Sequence, residues 1–271
     1  MRLQNKVVII TGASSGIGKS CAETCAREGA TLVLASRRKE ILQTLANELK
    51  DQFKVPILTV RCDVTQEADC KLLIDETVAS FQKIDVFINN AGIGMRALFQ
   101  KLDLVVIKKV FDVNFWGAIY CTKYALPYLL ASRGSVIGIS SIAGFHPLPG
   151  RTGYSASKAA LNSFLDALRI ENLQTGLHVM LVAPSYVSSN LRYVALVDDG
   201  SAQGDTSVDE NRIMSTSTVA EHVVDGLLKR RRTIILTGQG KAMVWLSKLL
   251  PAWVDRLVYS HFTKEKNPLI N

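Results

Sequence analysis

Short apolar runs rich in β-branched residues alternate along this chain with longer amphipathic stretches. The apolar runs cover 7–10, 31–35, 57–60, 85–88, 135–139, 178–183 and 233–236, and they predict strands. Apolar residues at helical spacing cover 17–27, 39–51, 66–81, 111–130 and 155–173. The strand runs are continuous rather than alternating, the pattern of strands covered on both faces. Strict strand–helix alternation predicts an α/β domain on a parallel, doubly wound sheet.

Two stretches break this rhythm. Positions 198–211 (DDGSAQGDTSVDEN) are polar and acidic and predict a mobile loop. The loop follows the sixth strand, where a lid over a substrate cleft would belong. From Lys241 onward, Trp245, Leu246, Leu249, Leu250, Trp253, Val254, Leu257 and Val258 recur at helical spacing, and Pro251 marks a break or a second helix start. The expected organisation is a single domain over 1–240 and a basic amphipathic extension over 241–271, with disorder in the last few residues.

Composition narrows the class. A chain of 271 residues buries one sizeable core. No uncharged apolar run approaches the roughly 18 residues that span a bilayer, and the first six residues form no secretory apolar segment. A cytoplasmic location is the expectation. The five cysteines (Cys21, Cys25, Cys62, Cys70 and Cys121) are scattered through periodic segments and read as buried, reduced thiols; no metal set is expected. The net charge of +8 resembles a nucleic-acid signal until it is located. Positions 229–271 hold nine basic residues against two acids, leaving 23 against 22 elsewhere, so the body is near neutral. Nucleic acid is therefore not an expected partner.

The first chemistry-bearing motif is Thr11-Gly12-Ala13-Ser14-Ser15-Gly16-Ile17-Gly18, between the first strand and the first helix. Gly12 permits a sharp turn, Gly16 lets the backbone approach a pyrophosphate, and Gly18 permits close packing of helix on sheet. Free N–H groups at the helix start then face the phosphates, as in a dinucleotide site. At the end of the second strand an NAD enzyme normally has an acid for the ribose 2′-hydroxyl. This chain has Ser36-Arg37-Arg38 instead, which suits the 2′-phosphate of NADP(H), with Arg37 the better candidate.

The second motif is Tyr154-x-x-x-Lys158, which places both side chains on one helix face, one turn apart. A nearby ammonium and an oxidised nicotinamide would both favour the phenolate of Tyr154. Tyr154 could then exchange a proton with a carbonyl or alcohol oxygen. Ser141, just after the fifth strand, could hold that oxygen.

Together with Asn89-Asn90-Ala91-Gly92, Asn114 and Ser140-Ser141, these motifs stand in an order that resembles the short-chain dehydrogenase/reductase family, over roughly residues 5–240. The resemblance implies a Rossmann-type fold with a seven-stranded parallel sheet and a tetrad of Asn114, Ser141, Tyr154 and Lys158. Tyr154 would be the acid/base, and Lys158 would hold the nicotinamide ribose and depress the Tyr154 pKa. Ser141, thirteen residues before the tyrosine as in the family, would orient the reacting oxygen. Asn114 would hold a water leading from Lys158 to solvent. The cofactor site would comprise Gly12, Ser14, Ser15, Gly16, Ile17, Gly18, Ser36, Arg37, Arg38, Asp63, Val64, Asn90, Ala91, Gly92, Tyr154, Lys158, Pro184, Val187 and Ser189, with Asp63 at the adenine and Val187 at the carboxamide. The family's usual Pro-Gly is here Pro184-Ser185, and Ser189 replaces a usual threonine, which reads as tuning of the pocket. Assembly as a homodimer or homotetramer is also implied.

The segment 142–150 with Tyr186, Leu191 and Tyr193 could form an apolar wall for a lipid-like, acyl or cyclic substrate. The expected function is hydride transfer between NADP(H) and a carbonyl or alcohol of such a substrate. A 3-oxoacyl thioester reductase is the alternative, and a non-catalytic cofactor-binding regulator is a second. For the tail, helices packed over the cleft or against a second subunit are preferred to a membrane-surface helix.

Overall fold

The computed structural model describes residues 1–188, 191–204, 213–264 and 269–270. Seven strands form one sheet: β1 (Val7–Thr11), β2 (Thr31–Ser36), β3 (Ile57–Arg61), β4 (Val86–Asn89), β5 (Ser135–Ile139), β6 (His178–Ala183) and β7 (Thr233–Ile235). Their order is β3-β2-β1-β4-β5-β6-β7, and every pairing is parallel. The strand order reverses between β1 and β4, and in such sheets the crevice at the carboxyl ends beside that point takes the ligand.

The helices are α1 (Gly16–Arg27), α2 (Lys39–Phe53), α3 (Glu67–Phe81), α4 (Leu104–Phe111), α5 (Gly117–Ala131), α6 (Thr152–Glu171), α7 (Thr216–Leu228), α8 (Gly238–Leu249) and α9 (Pro251–Phe262). Successive strand residues point to opposite faces, which divides the core in two. Val8, Ile10, Leu32 and Leu34 pack under α1, α2 and α7. Ile9, Val33, Phe87 and Val136 pack under α3, α5 and α6. Phe87 is fully buried, so truncating it to alanine would cost about 3–5 kcal/mol.

Helix α7 was not among the predicted helices, and three further segments differ from the sequence-based expectation. The helix predicted from 111 begins at Leu104, because the Asp103 carboxylate caps it by accepting from Val105 N at 2.9 Å. The run LVVIKKV is too β-branched to announce a helix by propensity. A π-turn at Asp112–Trp116 then links α4 to α5. Secondly, α6 begins at Thr152, so Tyr154 lies within its first turn. Thirdly, residues 198–204 of the loop read as mobile are hydrogen-bonded into place. Leu196 bridges both Met95 and Ala202, Asp103 N donates to Asp198 O at 3.0 Å, and Gln203 N donates to Ala195 O at 2.8 Å. The rest of that loop, 205–211, lies outside the described residues.

The tail forms two helices. Thr237 Oγ1 caps α8 by accepting from Gly240 N at 3.0 Å, and Pro251 opens α9, where its missing N–H costs nothing. Val254, Val258 and Phe262 are buried against Leu148, Met243 and Leu246. The opposite face leaves Trp245 70% and Leu249 65% exposed. No helix among the described residues is long and apolar enough to cross a membrane.

Candidate active site

The turn between β1 and α1 needs its glycines. Gly12 and Gly16 have φ of +64° and +55°, where a side chain would be strained. A Cβ on Gly18 would strike Gly12 O and lie 2.5 Å from Asn90 Nδ2. Asn90 Nδ2 in turn donates to Thr11 O at 2.9 Å, while Thr11 Oγ1 accepts from Asn90 N and Ala91 N, both at 3.1 Å. Thr11 and Asn90 thus fasten the ends of β1 and β4 around the turn. Thr11 was not singled out from sequence, since its role appears only when β4 is placed beside β1. The hydroxyl of Ser15 makes no cap hydrogen bond, so the N–H groups opening α1 remain available to an anion. This cradle, shaped by backbone where any Cβ would intrude, fits a dinucleotide pyrophosphate.

Arg38 reaches across this loop. Its Nη2 donates to Ser14 Oγ at 2.8 Å and to Ser15 Oγ at 3.0 Å, and its N donates to Ser36 Oγ at 3.2 Å. Arg37 lines the same cleft without such bonds, so the geometry places Arg38, rather than the preferred Arg37, against the phosphate loop. Asp63 Oδ1 accepts from Thr65 N and Oγ1 at 3.1 and 2.9 Å, a local turn that holds Asp63 and Val64 at the cleft wall. Ile17, Ala91, Gly92, Pro184 and Val187 line it as well; Gly18 lies beneath it, and Ser189 is outside the described residues.

Tyr154, Ser141 and Lys158 converge at the cleft. The Ser141 hydroxyl caps the short turn Ile142–Gly144, accepting from Ala143 N at 3.1 Å, and its position favours the ionised form of the Tyr154 phenol. Ser140 is instead buried and donates to Asn162 Oδ1, which excludes it from that role. Lys158 Nζ lies 6.0 Å from the Tyr154 ring centroid and donates to Ile139 O at 2.8 Å. Burial pushes the Lys158 ammonium down to about 8. Burial also pushes the Tyr154 phenol up, against the smaller lowering effects of Ser141 and Arg151. In the protein without cofactor, desolvation outweighs the Ser141 hydroxyl and the Arg151 charge at this phenol.

Asn114 is 1% exposed and does not line the cleft. The π-turn carries it behind Gly92, where Oδ1 accepts from Ile93 N at 2.8 Å and Nδ2 donates to Ile93 O and Ser157 Oγ, each at 3.0 Å. π-turns inside helices recur at functional sites. Here the turn ties the wall beside Lys158 to α6.

The cleft encloses about 1750 Å³ and runs from the Gly12 loop past Tyr154 to the tail helices. The family model described as short chain dehydrogenase matches residues 6–196, which include the cradle, Ser141, Tyr154 and Lys158. The chain belongs to the short-chain dehydrogenases. Among curated members it is 34% identical to the 11-beta-hydroxysteroid dehydrogenase A of Sesamum indicum over 263 residues, covering 94% of this chain and 75% of that protein. It is also 34% identical to dehydrogenase/reductase SDR family member 7B of Mus musculus, over 97% of this chain and 83% of the relative. Among solved structures, an alcohol dehydrogenase of the archaeon Thermococcus sibiricus, complexed with 5-hydroxy-NADP, matches at 26% identity with a TM-score of 0.75, over 85% of this chain and 95% of the other. The fold is also that of a short-chain dehydrogenase/reductase from Burkholderia phymatum in complex with NAD (23% identity, TM-score 0.82, 93% and 96% coverage).

Beyond Tyr154 the cleft is lined by many apolar side chains. Leu148, Leu191 and Val194 line it together with Met243, Leu246, Val254, Val258 and Phe262 from the tail. Leu191 was legible from sequence; the tail's partner was not, because amphipathic spacing shows that a face is covered without showing by what.

Proposed function

We propose that this short-chain dehydrogenase transfers a hydride between NADP(H) and a carbonyl or secondary alcohol on an apolar skeleton. The observation that carries the reading is one continuous cleft, with Tyr154, Ser141 and Lys158 in its wall and tail-derived apolar residues around its substrate end. The nicotinamide supplies or accepts the hydride when bound. Ser141 positions the substrate oxygen against the phenol. Tyr154 donates its proton to that oxygen during reduction and accepts it during oxidation. Lys158, held by Ile139 O, places a cation that stabilises the transient phenolate. The apolar wall excludes water, which strengthens these interactions.

The NADP(H) preference rests on Arg38 and Arg37 beside the phosphate loop, with no acid at the end of β2. The relatives named as hydroxysteroid dehydrogenases favour a bulky, cyclic skeleton. The test is cofactor consumption with a panel of aliphatic, cyclic and steroidal ketones, using NADPH and NADH in parallel. Expected is turnover with NADPH that falls by at least about 10³-fold in Tyr154→Phe while NADPH affinity changes little. Turnover by Tyr154→Phe near that of the wild type would refute the assignment.

A further inference from the structure

One cationic side chain beside Tyr154 takes no part in the proton transfer. Arg151 occupies the N-cap position of α6, three residues ahead of Tyr154, and lines the cleft. Its charge acts on the Tyr154 phenol, so the two groups lie within electrostatic range. The guanidinium carbon sits 5.8 Å from the centroid of the Tyr186 ring, another cleft residue. Arg151 Nε is buried and has no hydrogen-bond partner. Several other arginines pair with acids: Arg2 with Glu28, and Arg169 and Arg232 with Asp166. No acidic side chain among the described residues pairs with Arg151.

The surroundings sharpen the imbalance. A guanidinium is always charged and carries five N–H donors in a fork that matches a carboxylate. Arg151 is half-buried, with Nε shut off from water and unpartnered, and the face of Tyr186 meets the guanidinium without supplying a hydrogen-bond acceptor. Two acids among the described residues line the cleft, and both are engaged elsewhere. Asp63 accepts from Thr65, and Asp112 pairs with Lys108 at 2.7 Å. Lys109 and Lys264 line the same cleft and add to its positive character.

We propose that Arg151 binds a carboxylate of the substrate and holds it beside the reacting oxygen at Tyr154. The substrate class is then the oxo acids and the corresponding hydroxy acids, with the carboxylate on the reacting carbon or a few bonds from it and an apolar remainder directed to α8 and α9. This inference rests on the reading of the cleft as a carbonyl–alcohol site and adds the anionic group to it. A neutral ketone of the same skeleton would leave Arg151 unmatched and bind less well.

Two measurements test it. The first is calorimetric titration of the full chain, with NADP+ present, using decanoate and 1-decanol as probes. Decanoate is expected to bind at least about tenfold more tightly than 1-decanol, the factor that one charge-assisted hydrogen-bonded pair supplies. In Arg151→Met that preference falls to near one while 1-decanol binding persists, which also reports an intact fold; Arg151→Lys keeps part of it. Equal affinity of the wild type for the two probes, no decanoate binding, or a preference unchanged in Arg151→Met would overturn the proposal. The second compares kcat/KM for 2-oxooctanoate and its methyl ester, whose ratio is expected to drop about tenfold or more in Arg151→Met. A ratio unchanged in the variant counts against the carboxylate site. Arg151-dependent decanoate binding without turnover of any ketone would overturn the oxidoreductase reading alone. Turnover of neutral ketones without an Arg151-dependent preference would overturn the carboxylate site alone.

Discussion

Replacing Lys158 by methionine keeps most of the side-chain volume and removes a buried ammonium. Lys158 is 4% exposed, and burial lowers its pKa from the ordinary 10.5 to about 8. Because the folded value lies below the unfolded one, the unfolded chain binds more protons between these two pH values, and stability rises with pH there. A shift of this size corresponds to about 3 kcal/mol of destabilisation at neutral pH, fully present below the folded pKa and relieved as pH climbs to the unfolded one. Integrated from pH 7 to 9.5, the wild type should gain about 2 kcal/mol relative to Lys158→Met. The variant also leaves Ile139 O without the donor that now sits at 2.8 Å. That loss offsets the curves by a nearly constant amount and does not change their divergence. Urea unfolding of both proteins at half-unit pH steps measures the difference directly, since the other titrating groups are common to both. Curves that stay parallel within about 0.5 kcal/mol would refute the claim that Lys158 is held charged against an unfavourable burial.

Arg38→Ala should weaken NADPH by about tenfold or more and NADH by much less, as charge-assisted contacts to a phosphate are lost; fluorescence titration of each cofactor measures it. Arg37→Ala should have the smaller effect, reversing the preference read from sequence. Gly18→Ala drives a methyl into Gly12 O and Asn90 Nδ2, and both partners are fixed by the β1–β4 junction. A loss of about 1–3 kcal/mol in chemical denaturation and weakened cofactor binding are expected; a variant as stable as the wild type would show that the turn relaxes freely.

Much of this protein is legible in its sequence alone. Continuous apolar runs at regular intervals specify strands covered on both faces, and a parallel sheet with helices on each side is the arrangement that buries them. The glycine spacing and the Tyr154–Lys158 pair are local, within one turn or one helix, so sequence distance reports spatial distance for them. What required the tertiary structure depends on residues far apart in the chain. Thr11 acts through β4, 79 residues away at Asn90. Asn114 is turned behind the cleft wall by a π-turn whose extra residue leaves no composition signal. The choice between Arg37 and Arg38 depends on which side chain the loop from β1 meets. Residues 198–204, polar enough to read as free, are held by backbone bonds to the Met95 and Asp103 region, and backbone bonding is blind to side-chain polarity. The Tyr154 phenol and Lys158 ammonium are shifted chiefly by burial, a property of the packed domain rather than of the motif. The tail's periodicity announced a covered face, and only the fold showed that its inner side packs on Leu148 and lines the same cleft as Tyr154.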